Sequence, residues 1–222
     1  MNKFDVAKVL LVITIFGVAV LLGYQIMNPG PRLPVYNPSD LNPDLVDDQV
    51  QNKGRNHSIS DFSLVDQNAQ TRTLGDLKGH IYVADFFFTT CPSICIDMSK
   101  NMELLQAEFG GDDDFLLVSH TVMPEVDSVP VLKEYAELHN AKDDQWIFLT
   151  GEKSEIYRLA RRDYFAVLDS DALGDEHDFI HTENFILIDW NGRIRGFYDG
   201  TQDAEIQRLI GDVVILKAER KG

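Results

Sequence analysis

The sequence predicts an α/β sandwich with a mixed central sheet, preceded by one N-terminal transmembrane helix. Three observations carry this. Strand-type and helix-type hydrophobic patterns alternate from Ser58 onward. A two-strand signal around Trp190-Asn191-Gly192 and a closing amphipathic stretch follow near the C-terminus. Residues 9–27 are apolar apart from Thr14 and Gln25, with small glycines among them.

Composition narrows the class. The 222 residues suit one domain plus extras. Apolar residues make up 44% and charged residues 25%, which is ordinary for a globular chain and excludes wholesale disorder. Acidic residues number 36 against 20 basic ones, a net charge of −16. Nucleic acid is therefore not an expected partner, because neutralising phosphates takes an excess of Lys and Arg. Two cysteines are too few for a disulfide scaffold, but they stand close together.

As a helix, residues 9–27 measure about 28 Å, enough to cross roughly 30 Å of hydrocarbon. Lys3 and Lys8 precede the run and Arg32 alone follows it closely, so residues 1–8 are expected in the cytoplasm and the remainder outside it. The run continues into Tyr24-Gln25-Ile26-Met27 without a small-x-small exit, which favours an uncleaved anchor over a signal peptide. The expected location is the cytoplasmic (inner) membrane, single-pass, with the folded part on the periplasmic side. Pro29, Pro31, Pro34, Pro38 and Pro43 then make residues 28–57 an extended, semi-rigid spacer, leaving 58–222 as the folded domain.

Within that domain, 59–65 and 71–74 read as strands either side of a polar turn, and 81–88 (IYVADFFF) is the strongest buried-strand candidate. Residues 93–109 have helical spacing, with Ile94, Met98, Met102, Leu105 and Phe109 on one stripe. Gly110-Gly111 ends that helix. Strand 115–122, helix 131–139, strand 146–150 and helix 154–164 follow. Beyond a polar stretch at 169–178 come strand 185–189, strand 194–198 and a helix over 204–217.

Cys91-Pro92-Ser93-Ile94-Cys95 lies where the strongest strand gives way to a helix. Unpaired N–H groups at a helix start favour thiolate, and i, i+4 spacing puts both sulfurs on one helical face. A structural disulfide closing so short a loop would add only about 2 kcal/mol, so the spacing favours a functional dithiol. Of six histidines, His57, His80 and His139 read as solvated and His120 as packed on a strand. His177 and His181 form H-x₃-H, yet stand too far from the cysteines for a zinc finger. His181, just before a strand, is the better single candidate; His177 reads as exposed loop. Two thiolates with one imidazole suit copper by ligand softness.

Four segments, DFFFTTCPSIC with Met98 and Met102 behind it, PEVDSVPVLKEYA, EIYRLARRDYF and DFIHTENFILIDWNGRIRG, together resemble the SCO/SenC family. These are thioredoxin-like copper-handling proteins of cytochrome oxidase assembly, and the resemblance covers about Ser58 to the C-terminus. It implies a thioredoxin-like fold and a copper ion held by Cys91, Cys95 and His181. It further implies a role as a metallochaperone for the binuclear copper site of a respiratory cytochrome c oxidase. The implied partners are the copper-site subunit of that oxidase, a copper donor protein or thiol reductant, and the membrane through the anchor. The alternative is a thiol–disulfide oxidoreductase in which Cys91 and Cys95 form the catalytic dithiol; a copper or redox sensor is a third reading. Ile96 stands where the family usually has proline. Asp85 resembles the buried strand aspartate of thioredoxins, either tuning Cys95 or accepting hydrogen bonds. The proline that thioredoxins set opposite their dithiol has no counterpart after Pro130.

Overall fold

The computed structural model describes residues 3–27, 30–41, 57–166 and 183–221. They belong to two compact units, Met1–Arg32 and Leu33–Gly222. In the first, helix α1 covers Lys3–Met27. Its apolar side chains, such as Phe16 and Leu21, are exposed, and the Thr14 hydroxyl donates to the Leu10 carbonyl one turn back at 2.9 Å. Val9, Gln25 and Ile26 lie outside the described side chains, and among the described residues no helix is long and apolar enough to cross a membrane. The membrane span thus rests on the sequence.

The second unit is built on one seven-stranded sheet. In chain order its elements are β1 (Ser63–Asp66), β2 (Thr71–Thr73), α2 (Leu74–Leu77), β3 (Ile81–Phe87), α3 (Ile94–Glu108), β4 (Phe115–Thr121) and α4 (Val129–Leu138). Then come β5 (Trp146–Thr150), α5 (Lys153–Arg158), β6 (Asn184–Ile188), β7 (Ile194–Asp199) and α6 (Asp203–Lys221). The strands lie in the order β2-β1-β5-β4-β3-β6-β7. β3, β4 and β5 run parallel, and every other pair is antiparallel, so the sheet is mixed as the sequence predicts.

Every residue of β3 and β4 is buried, as expected of central strands covered on both faces. One core holds Phe62, Leu64, Phe86, Leu149 and Tyr164; the other holds Val83, Phe87, Phe148 and Leu209. Met98, Met102, Leu105 and Phe109 of the predicted stripe enter the second core, and Ile94 packs at its edge. The β6–β7 hairpin turns through Gly192 at φ +76, with Gly192 N–H donating to the Asp189 carbonyl at 2.8 Å. A Cβ is strained in that left-handed conformation.

Three expectations are corrected. The strand expected from Ile59 begins only at Ser63, because the Ile59 N–H is taken by the Gly192 carbonyl at 2.8 Å. The helix expected over 154–164 ends as α-helix at Arg158 and widens into a π turn over Leu159–Asp163. Its inserted residue aims the Asp163 carboxylate at Ser60 N–H and Arg158, both at 2.7 Å. Residues 33–41 of the expected spacer lie against the domain. Tyr36 N–H donates to the Ile194 carbonyl at 2.9 Å, Pro38 is buried, and the Tyr36 ring meets Phe197 edge-on. The buried Arg195 grips the Leu33 and Pro34 carbonyls at 2.7 and 2.9 Å, so the proline-fixed backbone is held as a strap. The polar stretch 169–178 lies outside the described residues.

Candidate metal centre

β3 delivers the chain to the C-terminal end of the parallel strands, and the backbone turns at once, with Cys91 N–H donating to the Phe88 carbonyl at 3.2 Å. Pro92 follows. The residue before a proline is disfavoured in helical backbone, which keeps Cys91 out of the helix; α3 starts at Ile94, with Ser93 as its N-cap. Cys91 therefore stands in the turn ahead of the helix rather than on one helical face with Cys95. The two sulfurs meet because the turn folds Cys91 over the first helical N–H groups.

Both thiols are free and buried. Burial pushes the Cys91 thiol up, but hydrogen bonds from the Cys95 thiol and from the Ser93 and Cys95 backbone outweigh it, and its pKa is lowered. Cys95 is the opposite case. Burial first, then its hydrogen bond to Cys91 and the charges of Cys91 and Asp85, push it up to about 12. The geometry thus supplies one thiol disposed to ionise and one that keeps its proton until something replaces it.

Beneath the pair, Met98 and Met102 fill the core, and the Tyr135 and Ser99 hydroxyls are 2.7 Å apart, tying α4 to α3. Asp85 is buried on β3, and desolvation raises its pKa to about 7 despite a hydrogen bond with Ser119. Its Oδ1 has no partner. The carboxyl also contributes to the raised pKa of Cys95. Both readings of Asp85 keep a footing: it touches the electrostatics of the dithiol and it accepts a hydrogen bond.

The histidines sort clearly where they are described. His120 is packed, as expected: fully buried, stacked on Phe86 at 4.9 Å between ring centroids, its pKa lowered to about 4 by desolvation. His57 and His139 are not simply solvated. His57 Nε2 lies 2.7 Å from the Asp163 carbonyl oxygen, and His139 Nδ1 lies 2.6 Å from Glu103. His80 holds a buried Nδ1 with no partner. His177 and His181 lie outside the described residues. Among the described residues no group of three His, Cys, Asp or Glu side chains is gathered to hold a metal ion. The described donor set is therefore the two sulfurs, whose softness fits a soft, low-coordinate cation.

One component of the site was missed in the sequence. Asp127, fully buried, accepts hydrogen bonds from the Thr89 N–H at 3.2 Å, the Thr89 hydroxyl at 2.5 Å and the Thr121 hydroxyl. Thr89 is two residues before Cys91. An aspartate just ahead of a Ser-x-Pro helix start was the available signal, but nothing local ties it to a threonine on another strand's exit.

A family model described as SCO1/SenC matches residues 50–214. The SCO1 protein homolog of Bacillus subtilis is 31% identical over 160 residues, covering 71% of this chain and 82% of that one. BsSco, whose structure is described as identifying a disulfide switch in a member of the Sco family of cytochrome c oxidase assembly proteins, aligns with a TM-score of 0.61. That match is 30% identical and covers 73% of this chain and 94% of the other. ScoI of Bradyrhizobium japonicum with copper bound aligns with a TM-score of 0.57 at 22% identity, covering 72% and 99%. At that identity the likeness is one of fold.

Proposed function

Because this chain belongs to the SCO1/SenC family, we propose that it is a membrane-tethered copper metallochaperone assisting assembly of the binuclear copper site of a respiratory cytochrome c oxidase. The observation that carries the reading is the Cys91–Cys95 pair: two buried, free sulfurs hydrogen-bonded to each other at the mouth of the parallel strands. Copper is the cargo. Soft thiolates favour Cu(I), and a two- or three-coordinate site leaves room for an acceptor's ligands to enter before the donor's leave. Loading displaces the proton that Cys95 retains, so uptake falls as pH drops. His181 is the proposed third ligand. The oxidase-assembly role attached to BsSco supports this reading.

The anchor is proposed on the apolar run 9–27, its basic flank and the exposed apolar surface of α1. It implies residence in the cytoplasmic membrane with the domain on the periplasmic side. There the copper-site subunit of the oxidase and a copper donor or thiol reductant would meet it. The acidic surface disfavours nucleic acid as a partner.

A second reading is favoured by the split between the thiols. A lowered Cys91 beside a raised Cys95 is also the arrangement of an attacking and a resolving cysteine, so thiol–disulfide exchange on extracytoplasmic cysteines is the alternative. His181 separates the two. Copper stoichiometry and X-ray absorption of the reduced chain, with its His181→Ala variant, test this. One copper with sulfur and nitrogen ligation, degraded in the variant, supports the chaperone. No retained copper with a readily cycled disulfide supports the oxidoreductase.

A further inference from the structure

Asp127 is a carboxylate buried completely with no cationic partner among the described residues. Such a group is costly, and here hydroxyl and amide donors alone compensate it. Both Thr89 donors belong to the segment leading into Cys91, while the Thr121 hydroxyl ends β4 and also accepts from Met123 N–H at 3.0 Å. Asp127 itself directly precedes Ser128, the N-cap of α4. One side chain therefore joins the exit of β3, the exit of β4 and the start of α4.

The two sulfurs are positioned by different parts of the molecule. Cys95 rides on α3, which Met98 and Met102 root in the core. Cys91 precedes α3, closing a turn that starts at Phe88 and runs through Thr89. We propose that Asp127 is a positioning residue for the dithiol: through Thr89 it holds Cys91 at a set place relative to Cys95. It thereby governs both the grip of the pair on a soft metal ion and the ease with which the pair closes to a disulfide. This rests on the dithiol reading given above. A neutral side chain of the same shape does not replace the carboxylate, because an amide nitrogen turned toward Thr89 or Thr121 presents a donor where an acceptor is needed.

The test uses the full-length chain in detergent, with Asp127→Asn, Thr89→Val, the double variant and wild type, all held below their melting temperatures. Two constants are measured on folded protein. The first is equilibration with glutathione: the two thiols give up two electrons and two protons as the sulfur–sulfur bond forms, and glutathione disulfide takes them to become two thiols. The second is Cu(I) affinity by competition with a chromophoric chelator. Each single variant is expected to move both constants by about tenfold, and the double variant no further than either single, since both remove the same link. Lower melting temperatures with both constants unchanged, or fully additive effects, would overturn the proposal. A wild-type chain that neither binds Cu(I) nor cycles a disulfide would instead defeat the dithiol reading.

Discussion

The thiols of Cys95 and Cys91 are hydrogen-bonded to each other yet differ in acidity: burial first and then this bond raise Cys95, while the bond together with the Ser93 and Cys95 backbone lowers Cys91. Alkylation is accordingly expected at Cys91 first, with a midpoint below the ordinary thiol value of 9.0. In Cys91→Ala, Cys95 should fall from about 12 yet stay above 9.0, because burial is the larger cause and persists. Thiolate absorbance against pH checks both; a Cys95 unmoved by the substitution would mean the bond does not set its acidity.

Asp85 makes stability depend on pH. Its folded-state value of about 7 lies above the 3.8 of an exposed carboxyl, so between these values the folded chain holds a proton that the unfolded chain has lost. Stability from this group is thus complete below about pH 4 and is lost as pH rises through 7. Asp85→Asn should be more stable than wild type at pH 8, by up to about 4 kcal/mol, and no more stable at pH 3.5. Chemical denaturation at the two pH values measures the difference. An equal gap at both would remove protonation as the cause.

Arg195 reaches Asp189 at 3.1 Å and Glu219 at 2.7 Å while holding the strap carbonyls. Arg195→Met leaves Asp189 buried with one cation fewer and should cost about 3–5 kcal/mol. The Tyr36 N–H, bonded to Ile194, should lose hydrogen-exchange protection well before the amides of β3. Arg195→Lys should rescue little, since an ammonium cannot span the same acceptors. Unchanged protection at Tyr36 would show the strap to be held by other contacts.

Ile96 is about half exposed, and its N–H donates to the Ser93 carbonyl at 3.1 Å in the first turn of α3. Ile96→Pro forfeits that bond and disfavours helical backbone at Cys95, so a loss of about 1 kcal/mol is expected, a few degrees in melting temperature. The fold should persist. A much larger drop in a thermal melt would mean that the first turn is more constrained than this single hydrogen bond implies.

Much of the scaffold was legible because it is written in local pattern. The aromatic and β-branched run at 81–88 corresponds to β3, the predicted strand 146–150 coincides with β5, and the methionine stripe packs where its spacing says. The Asp189–Gly192 turn needed only its glycine. The candidate site was legible in part: the cysteines were found from their spacing and surroundings. The expectation of both sulfurs on one helical face failed because Pro92 disfavours helical backbone at Cys91, which leaves it ahead of α3.

Periodicity and composition alone therefore settle the strand–helix alternation and the core stripe, since burial of an apolar face is a property of neighbouring residues, and spacing singles out the cysteine pair. The tertiary structure decided that Asp127 clamps Thr89, that residues 33–41 form a strap under Arg195, and that burial and hydrogen bonding set the two thiols apart. Asp127 lies 38 residues from Thr89, and Arg195 lies 161 and 162 residues from its strap carbonyls. Polar partners at such separations leave no periodic trace. A hydrogen bond selects direction and distance, and those exist only once the chain has closed.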